Sequence, residues 1–104
     1  MCTYQTEKIA LRGSGKSRRG WMKVTEATVY FDHPVHFPAG HALMIDVTDP
    51  AQGADARIAL ELDPRSARAL AESILRTLDQ LPAGLLEEFA ARQAPARRAN
   101  QLLG

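Results

Sequence analysis

The sequence predicts an α+β fold: a four-stranded, mainly antiparallel sheet with a C-terminal helix packed across one face and a second short helix after it. Three observations carry this. Runs of β-branched and aromatic residues with two-residue alternation recur up to Leu62. Clusters of Gly, Pro and Asp separate those runs. Beyond Asp63-Pro64 the apolar spacing changes to that of an amphipathic helix.

The first strand is expected over Cys2–Leu11, where Thr and Tyr alternate loosely. Arg12–Gly20, rich in glycine and basic residues, reads as a mobile hairpin loop solvated by Arg12, Lys16, Arg18 and Arg19. Its Gly15-Lys16-Ser17 has the letters of a phosphate-binding loop, but that loop must open a helix and here Gly20-Trp21 follows into another strand. A weaker role for Lys16, Arg18 and Arg19 is to draw a phosphate or carboxylate towards a site. The second strand, Val24–His33, breaks at Pro34, and the third, His41–Val47, stops before Asp49-Pro50. Ala56–Leu62 is the fourth, with Ile58, Leu60 and Leu62 inward and Arg57 and Glu61 outward.

Asp63-Pro64 is a helix start, Asp as N-cap and Pro at the first helical position, where its missing N–H is not needed. Ala67, Leu70, Ala71, Ile74 and Leu78 then form one stripe, and Leu81-Pro82-Ala83-Gly84 stops the helix. Leu85–Gln93 reads as the second, shorter helix, ended or kinked at Pro95. Ala96–Gly104 is then a fraying terminus or an arm for a partner subunit. These readings divide the chain into a core at 1–81 and a helical extension at 82–104, in one domain.

The totals narrow the function. With 13 Lys+Arg against 12 Asp+Glu the net charge is +1, so nothing global favours nucleic acid. One cysteine excludes an internal disulfide framework, and no apolar run approaches a membrane span of about 18 residues. The chain is therefore expected to be cytoplasmic, with no membrane partner. One sheet and one helix leave a second partly apolar face, from which a homodimer is expected.

All three histidines fall within nine positions, in the order His33-x2-His36-x4-His41. Strand parity places Ala27, Val29, Phe31 and His33 on one face, and His41, Leu43, Ile45 and Val47 on the facing one. His33 and His41 then stand opposite each other, with Cβ atoms about 5 Å apart, and His36 hangs from the loop above them. Neutral imidazole is the commonest transition-metal ligand, so His33, His36 and His41 form a candidate centre for zinc, copper, iron or nickel. Three nitrogens leave an open coordination position, the mark of catalysis on a small-molecule substrate. Removal of Met1 would expose Cys2, whose thiolate is a further candidate ligand. Asp32, on the opposite face from His33, is a candidate acceptor for an imidazole N–H. Tyr4, Glu7 and Tyr30 are candidate acids or bases, and Asp46 reads as a surface residue.

Three strings carry a resemblance: Met1-Cys2-Thr3-Tyr4-Gln5-Thr6-Glu7-Lys8, Gly13-Ser14-Gly15-Lys16, and Tyr30-Phe31-Asp32-His33-Pro34-Val35-His36 with its upstream Ala27-Thr28-Val29. With Ala56–Leu62 and the helix after it, they resemble a family of short actinobacterial proteins of unknown function over roughly the first 80 positions. The resemblance implies no activity. Two rivals to the metalloenzyme therefore stand: a metal-free binder or enzyme using the same histidines, and a regulatory or scaffold module working through its surface.

Overall fold

The computed structural model describes residues 5–85. Its architecture is α+β, with strands β1 (Glu7–Ser17), β2 (Gly20–Asp32), β3 (Ala42–Thr48) and β4 (Arg57–Leu62), and helix α1 (Pro64–Asp79). The strands form one open sheet in the order β1-β2-β3-β4, every neighbouring pair antiparallel. The chain divides into two compact units, Met1–Ala67 and Arg68–Gly104.

In the first unit the pairing register sorts the side chains. Phe31 faces Leu43 and Leu43 faces Leu62; Val29, Ile45 and Leu60 form a second such row, and Ala27, Val47 and Ile58 a third. Directly paired residues share a face, so these rows make one apolar surface. Tyr30, Met44 and Glu61 make a row on the other face, as do Thr28, Asp46 and Ala59.

The glycine-rich segment departs from the loop expected at Arg12–Gly20. β1 continues to Ser17 and β2 begins at Gly20, so the turn itself is Arg18-Arg19. The Ser17 hydroxyl donates to the Gly20 carbonyl at 3.3 Å, and Gly20 supplies φ of 111°, which a side chain would make costly. Gly15 is there for space. A Cβ on it would lie 2.8 Å from Ile58 Cδ1 and 3.3 Å from Val24 Cγ1, so side chains from β4 and β2 converge over β1. Packing a strand against bulky neighbours thus explains a glycine that reads as a turn former.

The register of β1 with β2 shifts between Ala10 and Gly13, the extra residue lying on β1. Regular alternation sets Val24 on the face of Tyr30, opposite Ala27. Val24 Cγ1 and Ile58 Cδ1 nevertheless both reach the space above Gly15, and Val24 and Ala27 are both buried. Ala42 and Met44, on other positions of β3, complete the buried apolar set. Among the described residues no large side chain is fully buried.

Two Asp-Pro pairs start the helical segments. Asp63 Oδ1 accepts from the backbone N–H of Arg65 at 2.7 Å and of Ser66 at 3.4 Å, opening α1 at Pro64 as expected. Asp49 does the same for the 3-10 turn Pro50–Gln52, accepting from Ala51 N–H at 3.3 Å and from the Thr25 hydroxyl at 3.3 Å. Gln52 Nε2 also donates to Asp49; that bond, with those from Ala51 and Thr25, holds the carboxyl below its usual pKa. Helix α1 has no buried residue, and Leu70, Ile74, Leu75 and Leu78 are all exposed. The expected second helix, from residue 86 onward, and the arm at Ala96–Gly104 lie outside the described residues.

Candidate functional site

β2 and β3 end where the histidines begin. The rings of His33 and His41 stand 4.5 Å apart between centroids at 40°, and Phe31 stacks on His41 at 5.6 Å and 9°. This follows from the pairing of Asp32 with Ala42, which sets residues 33 and 41 at the next opposed position. His33 Nδ1 is 2.8 Å from the Gly40 carbonyl oxygen. A carbonyl can only accept, so Nδ1 carries the proton and, in the neutral ring, Nε2 is the acceptor nitrogen. Asp32 Oδ1 accepts the backbone N–H of His33 at 2.7 Å.

The loop between the two strands has its own anchor. Glu61, on β4, accepts three consecutive backbone N–H groups: Val35 to Oε2 at 2.7 Å, His36 to Oε1 at 2.9 Å and Phe37 to Oε1 at 2.6 Å. Successive amides turned to one point make an anion site, and here the anion is the protein's own. Those amides, Phe37 first and Val35 next, hold the Glu61 carboxyl below the usual glutamate pKa, with a smaller contribution from His36. Glu61 is paired with Met44, on the opposite face from Leu43 and Phe31. The carboxylate therefore draws the backbone of 35–37 towards that face, while His33 and His41 follow the parity of Phe31 and Leu43. Among the described residues no group of three or more His, Cys, Asp or Glu is placed to hold a metal ion.

The remaining candidates are dispersed. The Tyr30 hydroxyl donates to Asp46 Oδ2 at 3.0 Å, and Arg57 Nη2 donates to Asp46 Oδ1 at 3.0 Å. Burial first, then the bond and charge of Asp46, push the Tyr30 phenol above its usual pKa. Tyr30 is thus a hydrogen-bond donor at neutral pH and a poor base. Asp46, expected at the surface, is the shared acceptor of this trio and has a side chain only 17% exposed. Glu7 is bonded to Gln5 Nε2 at the start of β1. Cys2 and Tyr4 lie outside the described residues.

At the opposite end of the sheet, Arg19 Nη1 lies 3.8 Å from Asp55, and Lys16 Nζ lies 6.0 Å from the Trp21 ring. Two shallow hollows occur near that end: one of about 200 Å³ includes Arg19, Trp21 and Asp55, the other of about 290 Å³ includes Thr48 and Pro50. Neither includes a histidine. Glu61 and Asp46 were missed because a carboxylate on a strand's polar face usually points to water. For Asp49 a signal existed, since Asp49-Pro50 repeats the Asp63-Pro64 cap.

No curated protein and no solved structure matches the chain. The motifs that suggested a family of unknown function lie inside a match that spans residues 1–87, and by it the chain belongs to the family of unknown function DUF6295.

Proposed function

We propose that the chain is a protein–protein interaction module, a scaffold or regulatory domain whose surfaces are its working parts, with a second copy of itself as its first partner. The observation that supports this most is the exposure of its large apolar side chains: Ile9, Trp21 and Leu60 on the sheet and Leu70, Ile74, Leu75 and Leu78 on α1 are all exposed. Adjoining exposed apolar side chains mark association surfaces, and Leu70, Ile74 and Leu78 recur at helical spacing along α1. Analytical ultracentrifugation of the untagged chain tests it. Self-association that persists when His33, His36 and His41 are all changed to alanine supports the module; a mass of one chain over the whole concentration range, for both proteins, rejects it.

A second reading rests on the 4.5 Å spacing of His33 and His41 and on the tautomer that Gly40 imposes. Two imidazoles at that spacing would hold a transition-metal ion, zinc, copper, iron or nickel, with its other positions left to water or a small molecule. Elemental analysis beside titration calorimetry decides it. One ion per chain, lost in the triple-alanine variant, supports this site, and equal metal content in both proteins rejects it.

A further inference from the structure

The outer side of β4 is an unusual surface. Among the described residues β4 is the last strand of the sheet, with β3 on one side and no strand on the other. The Asp49 N–H donates to the Ala56 carbonyl at 3.2 Å, so that carbonyl turns towards the end of β3, while the Ala56 N–H donates to the Gly53 carbonyl at 3.2 Å. Orientation alternates along a strand, so Ile58, Leu60 and Leu62 also face β3, while Arg57, Ala59 and Glu61 turn theirs outward. The Arg57 N–H is taken locally by the Asp55 carbonyl at 2.9 Å. That leaves the Ala59 and Glu61 amides, with the carbonyls of Arg57, Ala59 and Glu61, along the outer side.

The side chains of this strand are self-complementary. Reversing Arg57-Ile58-Ala59-Leu60-Glu61 about Ala59 sets Arg57 against Glu61, Ile58 against Leu60 and Ala59 against itself. An antiparallel pair centred there therefore places opposite charges across from each other on one face and an apolar pair on the other. The backbone agrees with this centre: Ala59 exchanges both bonds with its copy, and each Glu61 N–H meets the other copy's Arg57 carbonyl. Ala59 is also the smallest side chain of the strand, so the two-fold position carries no bulk. Arg57 keeps about half its side-chain surface exposed while bonded to Asp46, and its planar head has donors to spare for a second carboxylate. Leu60, 42% exposed, gains cover from the copy's Ile58.

We propose that two copies of this chain join through β4 in an antiparallel pair centred on Ala59, which extends the sheet from four strands to eight. This rests on the interaction-module reading and names its surface.

The test places one cysteine at the two-fold position. In a Cys2→Ser background, Ala59→Cys sets two thiols on facing residues with Cα atoms about 5.5 Å apart, within disulfide reach. Under mild oxidation it is expected to give a reducible species of twice the chain mass at least about tenfold faster than Ala51→Cys, an exposed position on the 3-10 turn. Ala59→Pro removes an outward N–H and no ladder bond, so it is expected to halve the sedimenting mass with the far-ultraviolet dichroism unchanged. Self-association with equal cross-linking at 51 and 59 overturns the β4 assignment and leaves the module reading in place. A wild-type chain that is a single copy throughout overturns both. Should Ala59→Pro unfold, the cross-linking rates alone decide.

Discussion

β1 and β4 are both outer strands of one sheet, and they are built in opposite ways. β1 breaks its register between Ala10 and Gly13, carries Gly13 and Gly15, and presents Lys8, Arg12 and Lys16. Bulges, glycines and cationic side chains are the features that stop a sheet edge from recruiting another strand. β4 has no glycine or proline, and its register with β3 runs unbroken from Arg57 to Leu62. Its two charges have opposite sign, so they accept a reversed copy of the strand more readily than a foreign one. One side of the sheet is guarded and the other is regular, and the proposed pairing uses that difference.

Adding bulk is the strongest way to separate the two strands. Gly15→Val on β1 drives a side chain into Ile58 and Val24, and is expected to lower stability by about 1–3 kcal/mol in chemical denaturation. Ala59→Val on β4 is exposed, and within a single copy is expected to change stability by no more than about 0.5 kcal/mol. Equal losses at the two positions would break the comparison.

Removing charge is a milder probe. Arg57→Ala leaves Asp46 with Tyr30 alone and is expected to cost about 0.5–1 kcal/mol, because the guanidinium is half exposed and screened by water. Lys8→Ala on β1 breaks a 3.7 Å pair with Glu26 whose lysine is well exposed, and no change is expected in the same denaturation curve. The Arg57 variant should also let the Tyr30 absorbance titrate differently, whereas Lys8→Ala should not.

The smallest effect is local and depends on pH. The folded pKa of Glu61 is depressed, so its hold on the amides of Val35, His36 and Phe37 is complete above the ordinary glutamate value and lost as the pH falls through the lower, folded value. Hydrogen exchange at those amides should accelerate relative to β3 in that acid window. Glu61→Gln should remove the pH dependence.

Much of the framework was legible because its signals are local. The alternation of Leu43, Ile45 and Val47 fixes a strand, Asp63-Pro64 fixes a helix start, and parity around Pro34–Gly40 brings His33 and His41 together. What escaped depends on partners distant in sequence. Gly15 looks like a turn former because its reason, Ile58, is forty-three residues away. Val24 alternates with Tyr30, yet it shares the space above Gly15 with Ile58, a proximity that no alternation pattern contains. Glu61 alternates as a solvated residue should, and its role exists only because a loop some two dozen residues earlier returns to it. His36 was grouped with its neighbours by spacing, while the carboxylate on β4 decides which way its backbone is drawn.

The Glu61 bonds also act as a ruler on chain length. Three amides in a row must arrive in phase with two oxygens, and the His33–Gly40 bond closes the neck of the same loop. One residue more or fewer between Asp32 and Val35 would put every amide out of step. Pro38-Ala39, between the two ties, is the place where an inserted peptide would leave both intact, which makes it the natural point for grafting a tag or epitope.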